Sequence, residues 1–268
     1  MDDEGLMQDL ADDDERDRMM YLWLLHTSHL KVPKNFKAGK IFCELRKKDV
    51  DKMVGADLIE ETAGIANTCV WLLCEPAKQR ARVISYDPSK NAAIDAAGFK
   101  SNMPLKHPTQ IAEDMWRCET LFAVDETKPF YMVRPPSDGY NPVFTAQGKT
   151  WRLKRLGMGS KISAEVKHML CTIVGRPPAR LADRIVANHH IDNSLIGGDD
   201  DAVREMFDIL MERCEKYGIT LNDNPTPDII GPVQEYCGFV YDAKNKTTAM
   251  SPKMRAKFHE MAWDDVVS

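Results

Sequence analysis

The sequence predicts an α+β protein built on a split βαβ unit of the ferredoxin-like kind, with helices against one face of an antiparallel sheet. Three observations predict it. The apolar run Leu121-Phe122-Ala123-Val124 ends on a carboxylate, Asp125, which places an acid at the end of a buried strand. A second acid, Asp192, sits in Ile191-Asp192-Asn193, a tight turn between the strand candidates 184–190 and 194–196. Two segments at helical spacing follow the two acids, one over 160–174 and one carrying Val203, Met206, Phe207, Leu210, Met211 and Cys214.

The remaining elements follow in order from local chemistry. Helical character begins at Met19-Met20-Tyr21-Leu22-Trp23 and returns over 40–64, where Gly39, Gly55 and Gly64 break it. Strands are expected at 68–74 and 82–86, parted by the turn-forming Glu75-Pro76-Ala77. Residues 108–117 fit a helix whose apolar face holds Ile111, Met115 and Trp116. Two β-prone segments around Gln147-Gly148 read as a hairpin. Asp199–Asp201 can cap the helix that follows them, and Gly218 can end it. No internal repeat is present.

At 268 residues and 43% apolar composition, the chain can bury a sizeable core. Its net charge of −5 is concentrated at one end, since residues 1–17 hold nine acids against the single base Arg16. Positions 18–268 carry 35 basic and 32 acidic residues, about +3, so bulk charge neither demands nor excludes nucleic acid. Residues 1–17 are expected to be a solvated, disordered acidic tail. The seven cysteines lack CxxC pairing, which fits reduced thiols better than a zinc site or disulfide framework. No stretch has the ~18–20 apolar residues of a membrane span, and the acidic start lacks the charge pattern of a signal or transit peptide. The expectation is an intracellular protein, nuclear or cytoplasmic, without membrane contact.

Two carboxylates from separate elements can hold a pair of metal ions about 3.5–4 Å apart, the arrangement that stabilises both oxygens of a phosphoryl transfer. Either acid alone is weak, because acids at turns are usually solvated. Their context resembles the reverse transcriptases over residues 68–258. Val124-Asp125-Glu126-Thr127-Lys128-Pro129-Phe130 is similar to the family's first palm motif, an aspartate followed five residues later by an aromatic that excludes a 2′-hydroxyl. Leu156-Gly157-Met158-Gly159 resembles its Leu-Pro-x-Gly segment, with Gly157 in place of proline. His190-Ile191-Asp192-Asn193 stands where the family commonly has Tyr-x-Asp-Asp, with Asn193 in place of the second aspartate. An asparagine oxygen still suits Mg²⁺ but removes one negative charge. A metal site on His189 and His190 is the less favoured reading of the same stretch, since no third ligand is in sight.

Downstream, Gly218-Ile219-Thr220-Leu221-Asn222 resembles the family's Gly-(Ile/Leu)-x-Leu-Asn segment. The lysine that normally follows is absent from Asp223-Asn224-Pro225-Thr226-Pro227, so the acid for departing pyrophosphate is missing. Cys237-Gly238-Phe239 resembles the primer-grip strand, and Met250-Ser251-Pro252-Lys253 the closing turn into a helix. Upstream, Arg82, with Asn91 nine residues on, is similar to the fingers strand that meets the triphosphate, and Lys78 is the second candidate. For Phe130 the plain alternative is a core aromatic, for 156–159 a helix-start loop, and for Arg82 and Lys78 solvated surface cations.

The resemblance implies a right-hand palm with a small fingers subdomain and no full thumb. Segments are expected at 1–17 (acidic tail), 18–66 (N-terminal helical), 67–118 (fingers-like) and 119–268 (palm). It implies an RNA-directed DNA polymerase with Asp125, Asp192 and Asn193 as catalytic residues and the two aspartates as Mg²⁺ ligands, Mn²⁺ being an alternative. Arg82, Lys78, Phe130, Met158 and Gly159 would bind the nucleotide. Partners would be an RNA template, a DNA primer, dNTPs, and further chains or domains supplying a thumb or RNase H. Gly238-Phe239-Val240-Tyr241-Asp242 combined with Thr248-Ala249-Met250-Ser251-Pro252-Lys253 looks most like retrotransposons of the DIRS type, with LTR elements second. The alternative is a polymerase-derived RNA-binding or assembly subunit that has lost catalysis.

Overall fold

A computed structural model describes residues 1–37, 39–75 and 80–260. The architecture is mixed α+β, with small antiparallel sheets. The chain divides into two compact units, 1–102 with 128–167 and 103–127 with 168–268.

In the first unit a three-stranded sheet has the order β1 (Ile59–Glu61), β6 (Lys149–Leu153), β5 (Val143–Ala146). The β5–β6 hairpin closes on Gln147 and Gly148 with φ of 54° and 72°. Positive φ at both loop residues is the type I′ signature that a glycine makes accessible. Strand β6 also pairs with β1, Ile59 opposite Leu153, over a core of Leu45, Val50, Met53, Ile59, Val70, Phe144 and Leu153. This pairing joins residues about ninety positions apart, so local periodicity could not announce it. Strands β2 (Cys69–Glu75) and β3 (Arg80–Tyr86) pair antiparallel and are followed by helix α4 (Pro88–Ala96), while Pro76 and Ala77 of the expected turn lie outside the described residues.

The N-terminal expectation is corrected. Residues 1–17 are not a disordered tail but helix α1 (Asp3–Leu10) and the start of helix α2 (Asp13–Thr27), with Leu6 fully buried. The cause lies in where the acids stand. Asp2 accepts from the Gly5 N–H and Asp12 from the Glu15 N–H, while Glu15 returns a bond to the Asp12 N–H, a complete capping box. Asp3, Glu4, Asp13, Asp14 and Glu15 fall in first turns, where negative charge meets the positive end of the helix dipole. The 18–66 segment is also less helical than expected, its described residues holding the rest of α2, helix α3 (Lys47–Gly55) and β1.

In the second unit, β4 (Thr120–Asp125), β8 (Asn193–Gly198) and β7 (Ile185–His190) form a sheet in the order β4-β8-β7, antiparallel throughout. Helix α5 (Pro108–Met115) precedes β4, and Leu121 exchanges two backbone hydrogen bonds with Gly231 on the strand's other side. Helix α7 (Ser163–Val174) precedes the β7–β8 hairpin, and helix α8 (Asp200–Tyr217) follows it, ending on Gly218 with φ 65°. Asp199 occupies the α8 N-cap position, but its carboxylate bonds Arg184 at 2.8 Å and makes no side-chain cap. Phe207 of α8 meets Phe122 of β4 edge to face at 5.4 Å, seating the helix on the strand that ends in Asp125. A second sheet runs β9 (Val233–Tyr236), β10 (Phe239–Asp242), β11 (Thr247–Met250), and α9 (Pro252–Glu260) follows.

If α1 is part of the folded unit, Leu6→Ala lowers stability by about 2–5 kcal/mol, as loss of a fully buried leucine does. Urea unfolding checks this; a change under about 0.5 kcal/mol would return α1 to the status of a solvated tail.

Candidate active site

Antiparallel pairing of β4 with β8 sets Asp125 opposite Asn193, the last pair of the ladder. One residue on, the Glu126 N–H donates to the Asp192 carbonyl at 2.9 Å, so the backbones carrying the two aspartates are joined directly. Each aspartate is then held by an asparagine amide. Asn193 Nδ2 donates to Asp192 Oδ1 at 3.0 Å, and Asn222 Nδ2 donates to Asp125 Oδ2 at 2.7 Å. Asn222 is itself fixed, its N–H donating to the Asp125 carbonyl at 2.8 Å and its Oδ1 accepting from the Thr127 hydroxyl at 2.8 Å. Its contact with Asp125 was not expected, although Leu221-Asn222 was visible in the sequence.

The turn that presents Asp192 is strained. Ile191 has φ 58°, and the Asp192 N–H donates to the His190 carbonyl two residues back at 2.7 Å. A β-branched residue in the left-handed region is rare, and such backbone costs about 1–3 kcal/mol. His168 supports the turn by accepting the Ile191 N–H at Nδ1, 3.3 Å away. Behind it, His189 Nδ1 lies 2.8 Å from the Ser194 hydroxyl, which lies 3.3 Å from the buried Cys171 sulfur. His189 thus packs behind the hairpin. Among the described residues no group of three His, Cys, Asp or Glu side chains is placed to hold a metal ion.

The β9–β10 hairpin turns on Cys237 and Gly238, with φ of 48° and 84°, and pairs Tyr236 with Phe239. Although Cys237 is exposed as a residue, its thiol is pushed up to about 11, chiefly by desolvation, with Asp192 and Asp125 acting in the same direction. The expected primer-grip turn therefore lies within the field of both aspartates. Two carboxylates and an amide oxygen, Asn193 having turned its nitrogen to Asp192, make a hard-oxygen donor set of the kind Mg²⁺ takes.

The second unit thus brings together Asp125, Asp192, Asn193 and Cys237-Gly238. Arg82, Phe130, Met158 and Gly159 lie in the first unit, and Lys78 lies outside the described residues. Within the first unit these four lie on linked elements. Tyr131, beside Phe130 on helix α6 (Pro129–Met132), donates its hydroxyl to the Val83 carbonyl at 2.5 Å, and the Ser85 N–H donates to the Met158 carbonyl at 2.8 Å. Phe130 is partly buried. Arg82 is half-buried and bonds Glu75 at 2.9 Å. Gly159 has φ 121°, and a Cβ there would meet the Ser85 carbonyl oxygen at 2.5 Å, so the glycine serves close packing against β3. Asn91 fastens that loop, donating to the Gly159 carbonyl at 2.8 Å and accepting from the Lys161 N–H at 3.0 Å.

This is a reverse-transcriptase-like fold. Similar solved structures include the foamy viral protease-reverse transcriptase dRH in complex with double-stranded DNA, at TM-score 0.63 and 12% identity, and the foamy viral protease-reverse transcriptase with double-stranded DNA, at 0.54 and 11%. Each match covers 97% of this chain but only 48% and 57% of the viral chains, so this chain spans about half their length. No family model and no curated protein matches the sequence.

His189 gives the site a pH signature. Burial, followed by the charges of His168, Arg176 and Lys106, lowers its pKa from 6.5 to about 3. A histidine kept neutral in the folded state but protonated when unfolded contributes stability above pH ~6.5 that is lost as pH falls, by about 1.4 kcal/mol per unit. Between pH 7 and 5 the native chain is expected to lose roughly 2 kcal/mol more than His189→Asn. Urea midpoints across that range decide it; parallel profiles would assign the acid sensitivity elsewhere, for example to buried His26, lowered to about 4 by burial.

Proposed function

We propose that this chain is the fingers and palm of an RNA-directed DNA polymerase, extending a DNA primer on an RNA template from dNTPs. One observation carries the reading: within a reverse-transcriptase-like fold, the Asp125–Asn193 pairing and the Glu126-to-Asp192 bond set two aspartates on adjoining backbone ends. Asp125 and Asp192, with the Asn193 oxygen, would hold Mg²⁺ or Mn²⁺, which when bound lowers the charge barrier to attack by the primer 3′-hydroxyl on the α-phosphate. The chain's own groups supply the positioning. Asn222 orients Asp125, Asn193 orients Asp192, and the strained turn at Ile191 holds the second carboxylate at the hairpin tip. Phe130 would select the sugar, Arg82 and Lys78 would steady the triphosphate, and Cys237-Gly238-Phe239 would seat the primer end. The DIRS-like or LTR retrotransposon origin belongs to this same reading.

A second reading is a polymerase-derived RNA-binding or assembly subunit without catalysis. It is favoured by Asn193, which spends its amide on Asp192 where the family commonly has a carboxylate, and by the absence of lysine from 223–227.

Primer extension on an RNA template with Mg²⁺ and with Mn²⁺ separates the two. On the polymerase reading the native chain extends, Asp125→Ala abolishes extension, and Asn193→Asp raises the Mg²⁺ rate by about tenfold, equivalent to about 1.4 kcal/mol of barrier. No extension from native protein or Asn193→Asp, with RNA binding intact, would establish the second reading.

A further inference from the structure

Three cationic side chains of the first unit converge on one carboxylate. Arg155 lies 2.9 Å and Arg134 3.5 Å from Asp57 Oδ2, while Lys154 pairs with Asp57 Oδ1. Three positive charges against one negative leave the cluster with an excess that Asp57 cannot neutralise. Asp57 is itself half exposed and held at φ 55°, and Arg134 is 60% exposed, so the group opens to solvent on one side.

One donor of the cluster lacks an acceptor. Arg155 is 8% exposed, and its Nη1, shielded from solvent, makes no hydrogen bond. A buried guanidinium N–H without a partner carries a desolvation cost that an anionic oxygen would remove, and planar guanidinium groups suit phosphate oxygens. The acidic helix α1 stands beside this cluster. Leu6 anchors it, Asp2, Asp3 and Glu4 form its start, and Asp3 is the α1 charge that acts on Arg155. The Asp3 carboxyl is raised to about 6, chiefly by burial, so its negative charge is held there at a cost.

We infer that Arg134, Lys154 and Arg155 form a binding site for phosphate oxygens of a nucleic-acid backbone, and that the acidic start of α1 competes for it. A row of carboxylates on a helix resembles a polyanion more than a single small anion, which favours the backbone over free phosphate. The site involves neither Asp125 nor Asp192, so it stands or falls separately from the polymerase reading.

The test measures binding of a fluorescein-labelled DNA primer annealed to RNA, by anisotropy over a range of NaCl concentrations, with the full chain. Each phosphate contact contributes roughly 0.9 to the slope of log K against log salt on a duplex. Arg134→Gln with Lys154→Gln is expected to lower that slope by about two and weaken binding at least tenfold. Lys149→Gln, which removes an exposed cation paired with Glu61 elsewhere in this unit, is expected to leave it unchanged. The triple variant Asp2→Asn, Asp3→Asn, Glu4→Gln is expected to tighten binding several-fold. It tests the site without touching the cationic cluster, should the double variant fail to fold. An unchanged slope in the double variant, an equal loss in Lys149→Gln, or no tightening in the triple variant would overturn the inference. Inorganic phosphate added at constant ionic strength should compete weakly; full displacement by millimolar phosphate would reassign the cluster to a small anion and overturn the backbone assignment.

Discussion

The pairing of β4 with β8 is the constraint on which the candidate site depends. Side chains alternate along a strand, so a slip of one residue would turn Asp125 away from the hairpin tip and place Val124 there. Several features forbid that slip. Leu121, Phe122, Leu195 and Ile196 are all fully buried, so both faces of the ladder are committed to packing. At Gly198 an added Cβ would meet the Arg184 carbonyl oxygen at 2.1 Å, and at Gly197 one would meet Leu121 at 2.5 Å. Only glycine lets β8 lie so close to its neighbours, and that closeness fixes which residue faces Asp125.

With the register set, the local electrostatics follow. Acids on adjoining backbones repel, and each is held by an asparagine amide, Asn193 on Asp192 and Asn222 on Asp125. A neutral amide donor holds a carboxylate in place without adding a positive charge of its own. The left-handed Ile191 belongs to the same arrangement. Its strain is borne by the surrounding ladder and by His168, and relaxing the turn would move Asp192 off the strand end.

Elements whose determinants are local were legible in the sequence. Gln147-Gly148 fixes a hairpin because few other pairs accept positive φ twice, and the α8 stripe with Gly218 behind it has few alternative readings. The order of strand, helix, hairpin and helix that frames Asp125 and Asp192 was also readable, because each piece carries its own period. Long-range pairing was not. Strand β1 is three residues whose partner β6 lies far along the chain, and the Asn222 contact with Asp125 joins residues 97 apart. Gly159 was readable as necessary but not for its reason, since the carbonyl it must avoid belongs to Ser85. The acidic start misled because composition counts charges without their places: the same aspartates that argue for disorder as a block act as caps when Asp2 and Asp12 stand one residue before a helix.

That correction changes what the net charge means. Nine acids on a mobile tail would be screened beyond about 10 Å and would act on the rest of the protein only as an average. Anchored by Leu6, the acids of α1 hold fixed positions, and Asp3 acts on Arg155 while the remaining chain keeps its small positive excess. For the inferred phosphate site the seating of α1 therefore counts for more than the overall charge, because its departure would remove the negative charge of Asp3 from the surroundings of Arg155.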